Sequence, residues 1–297
     1  MAVAHSRTVP RIPTLVWLLV LTSCSNVVEQ SDIPYDERYS ADVLDVYMPP
    51  PAGVPRPAVL VIHGGGWTEG IYRSSLAPHA ERLAEAGYVT VNIEYRLTPH
   101  GGQFPGAVKD CFCALAWLRA HAESLGVDPT KIAGLGYSAG GHLVSMLGTA
   151  AADPGVAPDC AAGPAAPLNA VVSGAGPQDM TLLLGATAVT DFLGGTKDQV
   201  PEVYAEASPI THVAVGDPPF LLVGGDNDWF VSIDHAHLMK KALDAVGTET
   251  RLFEIPGGGH IWNGADGQWE LPLTSIDTPE AQAAILDFLD HTIGPPP

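Results

Sequence analysis

Positive charge is scarce in this chain. Its 297 residues hold 14 Lys and Arg against 33 Asp and Glu, a formal net charge of −19. Binding a phosphate backbone needs a basic face, so this balance excludes nucleic acid as a partner. The same repulsion excludes simple docking on anionic lipid. Cysteine is also scarce, at four residues, which excludes a disulfide-dense mini-protein. No Cys/His spacing matches a zinc site. His235 and His237 lie two apart on an expected helix, a poor geometry for one metal, so no metal site is expected. Hydrophobic residues are not scarce, at 46% against 16% charged, which excludes disorder. A chain of this length buries a large core without disulfide staples. Long apolar runs are lacking: the run at 12–21 has about ten residues, against roughly 20 needed to span a bilayer.

That run follows Arg7 and Arg11, with no acid among residues 1–11, and reads as the core of a secretory signal. Directly behind it, Leu21-Thr22-Ser23-Cys24 resembles a bacterial lipobox. The resemblance implies that residues 1–23 are removed and that Cys24 is lipidated. Residues 24–33, which are polar, then form a tether. The expected place is the cell envelope, with the membrane touched only through the lipid. The alternative is an ordinary signal peptide that contains a cysteine. Export makes disulfides permissible. Cys111 and Cys113 lie two apart on an expected helix and point in different directions, so at most one pairs with Cys160. Buried thiols acting as small hydrophobes are the alternative.

From residue 34 on, strands alternate with helices. Strands are expected over 43–48, 58–62, 88–93, 131–135, 168–173, 220–223 and 251–255. Helices are expected over 76–86, 105–125, 140–150, 232–246 and 279–291. Apolar strands without alternation suit a sheet covered on both faces, and the βα order predicts a mainly parallel one. The fold class is α/β, with helices on both faces. Residues 152–167 and 176–213 read as loops, the second with room for short helices over the sheet. No linker divides the chain, so 34–297 is read as one domain. Ligands in such sheets bind beyond the carboxyl ends of the strands, which is where chemistry is to be sought.

Three loops at those ends carry chemistry. Gly136-Tyr137-Ser138-Ala139-Gly140 follows a strand and opens a helix. A serine on such a turn is exposed, flanking glycines keep side chains away, and the helix start favours negative charge. The overlapping Gly134-x-Gly136-x-x-Ala139 fits a loose dinucleotide fingerprint, but it stands after several strands and lacks a ribose-binding acid, so no nucleotide is expected. His63-Gly64-Gly65-Gly66-Trp67 follows another strand, and its N–H groups can converge on a developing oxyanion. His260, behind Gly257-Gly258-Gly259, is a candidate general base. The acid lies in Gly224-Gly225-Asp226-Asn227-Asp228, where Asp228 and Asp226 are both candidates. Ser…Asp…His is the triad order of α/β-hydrolases.

With these motifs in order, the chain resembles the α/β-hydrolase superfamily. Within it, the chain is similar to the hormone-sensitive-lipase-like esterases and the BD-FAE branch. Leu44-Asp45-Val46-Tyr47, Asn92-Ile93-Glu94-Tyr95-Arg96-Leu97, Phe104-Pro105, Ala207-Ser208-Pro209-Ile210 and Pro218-Pro219-Phe220-Leu221 carry the likeness further. The resemblance covers about 34–297 and implies a small cap over a catalytic domain. It implies Ser138 as nucleophile, His260 as base, Asp228 as acid, and the N–H groups of Gly65, Gly66 and Ala139 as oxyanion donors. Arg96 is expected to pair with an acid, and His142 to be a packing residue. Trp67, Tyr137, Trp229 and Trp262 are candidates to line the pocket. No cofactor is needed. The implied activity is serine-ester hydrolysis of a small-molecule or polysaccharide-linked ester. An amidase or formamidase with the same triad is one alternative, and a non-catalytic binding protein on the same fold is another. Two departures stand out: Gly224-Gly225 replaces the His-Gly of many relatives, and 98–103 is longer than usual.

Overall fold

The computed structural model describes residues 26–160, 163, 167–183, 186–262, 273–274 and 277–297. The expected signal segment 1–23 and the expected lipidated Cys24 lie outside the described residues. The elements in chain order are β1 (Val28–Pro34), β2 (Val43–Met48), β3 (Arg56–Ile62), α1 (Ala77–Glu85), β4 (Val89–Ile93), α2 (Gly106–Ala120), β5 (Val127–Tyr137) and α3 (Ala139–Thr149). There follow β6 (Ala170–Gly174), α4 (Thr187–Leu193), α5 (Pro201–Glu206), β7 (Phe220–Gly225), α6 (Asp234–Ala245), β8 (Thr250–Ile255) and α7 (Pro279–Thr292). A short antiparallel pair joins Ile261–Trp262 to Leu273–Thr274.

Eight strands form one sheet in the order β1-β2-β4-β3-β5-β6-β7-β8. The β1–β2 and β2–β4 pairs are antiparallel, and every pairing from β4 to β8 is parallel. Alternate residues of each strand feed opposite faces, as the two-residue period requires. In β3, Leu60 and Ile62 belong to one core layer, together with Val108 and Phe112 of α2, Leu143 of α3 and Met239 of α6. Val59 and Val61 belong to the opposite layer, together with Leu83 of α1 and Phe288 of α7. Both faces are therefore dry, which is why the parallel strands read as unbroken apolar runs.

The element boundaries have local causes. Pro279 opens α7 behind Thr278, whose side chain accepts the Ala281 N–H. α2 stops at Ala120, short of the expected 125, with His121 as its cap at φ −100° and ψ 6° and its ring stacked on Trp117 at 4.1 Å. β5 begins earlier than 131, since Val127 pairs with Arg56 across a register shift.

One expectation needs correction. Residues 24–33 were expected to be a tether, yet from Val28 the chain is the edge strand β1, paired to β2. An edge strand with its residues mostly exposed needs no apolar face, so hydropathy gives no signal for it. The cysteines also resolve: Cys113 bonds to Cys160, tying α2 to the chain that follows α3, and Cys111 remains a buried thiol. Burial in carbon, with Asp110 and Asp42 nearby, raises the Cys111 pKa, so it stays protonated.

Candidate active site

Ser138 stands between β5 and α3 with φ 55° and ψ −120°, a left-handed conformation rare for a side-chain-bearing residue. Two neighbours make the turn possible. A Cβ on Gly136 would lie 2.1 Å from the Gly140 carbonyl oxygen, and one on Gly140 would lie 2.0 Å from that of Ile62. Only glycine fits either place. The Ser138 N–H donates to the Gly174 carbonyl at 2.8 Å and the His142 N–H to the Ser138 carbonyl at 3.0 Å, which pins the bend at both ends. Strain of this kind persists when its surroundings over-determine it.

His260 and Asp228 meet the serine. His260 Nε2 lies 2.9 Å from Ser138 Oγ, and His260 Nδ1 lies 2.7 Å from Asp228 Oδ2. The other carboxylate oxygen of Asp228 accepts the N–H groups of Phe230 at 2.9 Å and Val231 at 2.8 Å. The carboxylate is thus buried but fully engaged. Asp226 is placed elsewhere: its carboxylate accepts the Gly257 N–H at 2.6 Å and holds the loop that carries His260. The Tyr137 hydroxyl donates to the His260 carbonyl, a second hold on that loop.

The glycine loop faces the same point. Gly65, Gly66 and Trp67 have φ of 108°, 62° and 59°, a run of left-handed residues that turns successive N–H groups to one side. Among the described residues, the N–H groups of Gly65, Gly66 and Ala139 donate to no protein acceptor. A Cβ on Gly64 would meet the Tyr137 carbonyl oxygen at 2.7 Å, so the loop lies directly against the serine turn. His63 anchors the loop from beneath: Nε2 lies 2.6 Å from Glu94 Oε1 and Nδ1 lies 2.7 Å from the Gly64 carbonyl. Its ring stacks on Tyr95 at 4.4 Å, and the Tyr95 hydroxyl donates to the His63 carbonyl at 3.1 Å. Arg73 donates its N–H to the second Glu94 oxygen and its Nε to Asp45. Sequence reading gave Glu94 no role. Its signal was its place inside the Asn92–Leu97 stretch that carries the family likeness, directly after an apolar strand.

The other expected residues divide. Trp67 is buried, stacked on Phe192 at 4.5 Å, and shows the pocket one edge. Tyr137 and Trp229 line cavity walls, and Trp229 is 87% exposed at the lip. The side chain of Trp262 lies outside the described residues. Arg96 pairs with Asp110 through NH2 at 2.6 Å and Nε at 2.9 Å. His142 is fully buried, with Nε2 at 2.7 Å from the Ala207 carbonyl. Burial pushes its pKa down to about 4, so it packs as a neutral ring. His235 accepts N–H groups from Gln178 and Asp179, while His237 faces Glu254. No group of three or more metal-binding side chains occurs among the described residues.

Two cavities open on Ser138, one of about 440 Å³ and one of about 260 Å³. Phe230 lines both, and its ring lies 5.2 Å from that of His260. Sequence reading passed over it beside the more conspicuous Trp229. The second cavity is lined by Leu183, Ala186 and Val189, which lie between β6 and the end of α4.

The BD-FAE family model matches residues 44–243, from β2 through most of α6. The chain belongs to the BD-FAE family. Esterase LipC of Mycobacterium tuberculosis is 34% identical over 221 residues, covering 72% of this chain and 55% of LipC. The probable carboxylic ester hydrolase LipM of the same organism is 31% identical, covering 83% of this chain and 59% of LipM. This BD-FAE chain thus spans a little over half the length of the curated relatives it matches. Among solved structures, a truncated carbohydrate esterase from gut microbiota superposes with a TM-score of 0.77 at 22% identity, covering 91% of this chain and 97% of that one. Thermogutta terrifontis esterase 2 phosphorylated by paraoxon gives 0.71 at 22%, covering 92% and 96%. These likenesses establish the α/β-hydrolase fold for this BD-FAE member.

Proposed function

We propose that the protein is a serine carboxylic-ester hydrolase that acts on short-chain esters through an acyl-enzyme. The reading is carried by the chain of contacts from Ser138 Oγ through His260 to Asp228, at 2.9 and 2.7 Å. Ser138 attacks the ester carbonyl while His260 Nε2 takes its proton. Asp228 holds Nδ1–H and stabilises the imidazolium. The oxyanion forms against the N–H groups of Gly65, Gly66 and Ala139, each worth about 3 kcal/mol at such a site. His260 then gives its proton to the departing alcohol. Water, activated by the same imidazole, releases the acid. The names of LipC and LipM support the activity, and the paraoxon adduct of the Thermogutta enzyme supports a serine nucleophile. Export is part of the same reading: a Cys113–Cys160 disulfide suits an oxidising compartment, with Cys24 as the lipidated residue.

The test is hydrolysis of p-nitrophenyl acetate through octanoate, with paraoxon labelling followed by mass spectrometry. Ser138→Ala is expected to lose at least ~10³-fold in kcat and all labelling. Equal turnover by the wild type and Ser138→Ala overturns the proposal.

A further inference from the structure

The two cavities at Ser138 are chemically unequal. The larger is walled by Gly65, Ile71, Leu76, Tyr137, Phe230 and His260. The smaller is walled by Ala139, Leu183, Ala186, Val189 and Val231, with Trp229 at its lip. Ser138, Gly66, Ala188 and Phe230 belong to both, but His260 lines only the larger.

The reaction distinguishes them. Acylation forms the Ser138 Oγ–carbonyl bond and breaks the bond from the carbonyl carbon to the alcohol oxygen. The serine proton passes to His260 Nε2 and from there to that departing oxygen. The alcohol oxygen must therefore come within hydrogen-bond reach of His260, about 2.6–3.2 Å. We infer that the alcohol arm of the substrate occupies the larger cavity and the acyl arm the smaller one. This assignment rests on the esterase reading above.

The walls then state the substrate class. Among the described residues, the larger cavity is lined mainly by carbon, with Thr68, Glu69 and Ser75 its few polar side chains besides the catalytic groups and Tyr137. The Tyr137 hydroxyl is engaged with the His260 carbonyl and Glu69 with His100 at 2.7 Å. A polyhydroxylated alcohol would leave hydroxyls there without partners, at a cost for each. An aryl or alkyl alcohol meets a matching surface. The smaller cavity, at about 260 Å³ and lined by Leu183, Ala186 and Val189, admits a compact acyl chain. Ile71 is the specificity-determining residue on the alcohol side and Leu183 on the acyl side.

Two substrate series test this in the full chain. One holds the acyl group as acetyl and varies the alcohol from methyl through butyl and phenyl to naphthyl. The other holds p-nitrophenol and varies the acyl group from acetyl to octanoyl. Leu183→Trp is expected to lower the octanoate-to-acetate ratio of kcat/KM about tenfold or more, while the order of preference among alcohols stays that of the wild type. Ile71→Trp is expected to lower the naphthyl-to-methyl ratio similarly and to keep the acyl order. Deacylation, read from the steady rate after a burst, involves no alcohol, so its dependence on acyl length shifts in Leu183→Trp and not in Ile71→Trp. Ala186→Phe repeats the acyl-side test if Leu183→Trp fails to fold by circular dichroism. Crossed effects, or both variants acting on one series, overturn the assignment while leaving the esterase reading intact. Absence of turnover and burst with every ester in the wild type overturns the esterase reading and the assignment with it.

Discussion

Asp226 and Asp228 show what two residues of spacing decide. Both carboxylates lie beyond β7, but only Asp228 reaches His260, while Asp226 caps the Gly257 N–H. Replacing Asp228 by Asn keeps the shape but favours the wrong imidazole tautomer. Asp228→Asn is expected to lower kcat by about 10⁴-fold at an unchanged fold, checked by ester kinetics and a thermal melt. Asp226→Asn weakens one hydrogen bond and is expected to cost about 1 kcal/mol of stability in a urea titration. Gly140→Ala is a different kind of change, because its Cβ would collide with the Ile62 carbonyl oxygen at 2.0 Å. It is expected to cost about 1–3 kcal/mol and to lower kcat together with stability, since the serine turn must shift.

At the scale of elements, α2 and the loop behind α3 are held by the Cys113–Cys160 disulfide, whose ends lie 47 positions apart in sequence. Loop-closure entropy for that separation is worth about 4 kcal/mol. Reduction, or the double change Cys113→Ser with Cys160→Ser, is expected to lower Tm clearly, read by calorimetry with and without dithiothreitol. In the oxidised folded protein Cys111 is expected to resist Ellman's reagent and to react on unfolding. These cysteines also mark a limit of legibility. Their spacing established that at most one of Cys111 and Cys113 could pair with Cys160. Which one did depended on how α2 is rotated against the sheet, a matter of packing. The main helices and parallel strands were legible because their apolar periods are strong. The edge strand β1 was not, because a strand with one neighbour carries no such period.

For the whole molecule, an acidic chain has buried part of its charge. Asp42 is buried beside Tyr35, Asp110, Asp36 and Arg96, and burial together with Asp110 pushes its pKa up to about 8. The folded state therefore holds a proton that the unfolded chain releases near pH 4. By linkage, the stability from Asp42 is complete below about pH 4 and is lost progressively as pH rises through about 8. Asp42→Asn is expected to gain stability over the wild type as pH rises across that window and to hold a constant advantage above it. Urea titrations at spaced pH values check this, and parallel wild-type and variant curves would refute it.

The sequence alone determined the layered α/β plan, because apolar runs that alternate with amphipathic segments can be dried only by a sheet covered on both faces. It also signalled the serine turn, since glycines at 136 and 140 leave the room that a tight strand-to-helix bend around Ser138 requires. It named the serine, the histidine and both candidate acids, because order along the chain follows the order of the loops. Only the tertiary structure showed which of the two acids reaches His260, since meeting it across 32 residues is a question of where two strand ends lie. Only it showed Glu94 beneath His63 and Phe230 between two cavities, because neither contact leaves a period or a spacing in the chain. Periodicity records which face of an element is dry. Which side chains then meet on that face, or at its end, is settled by packing over long separations.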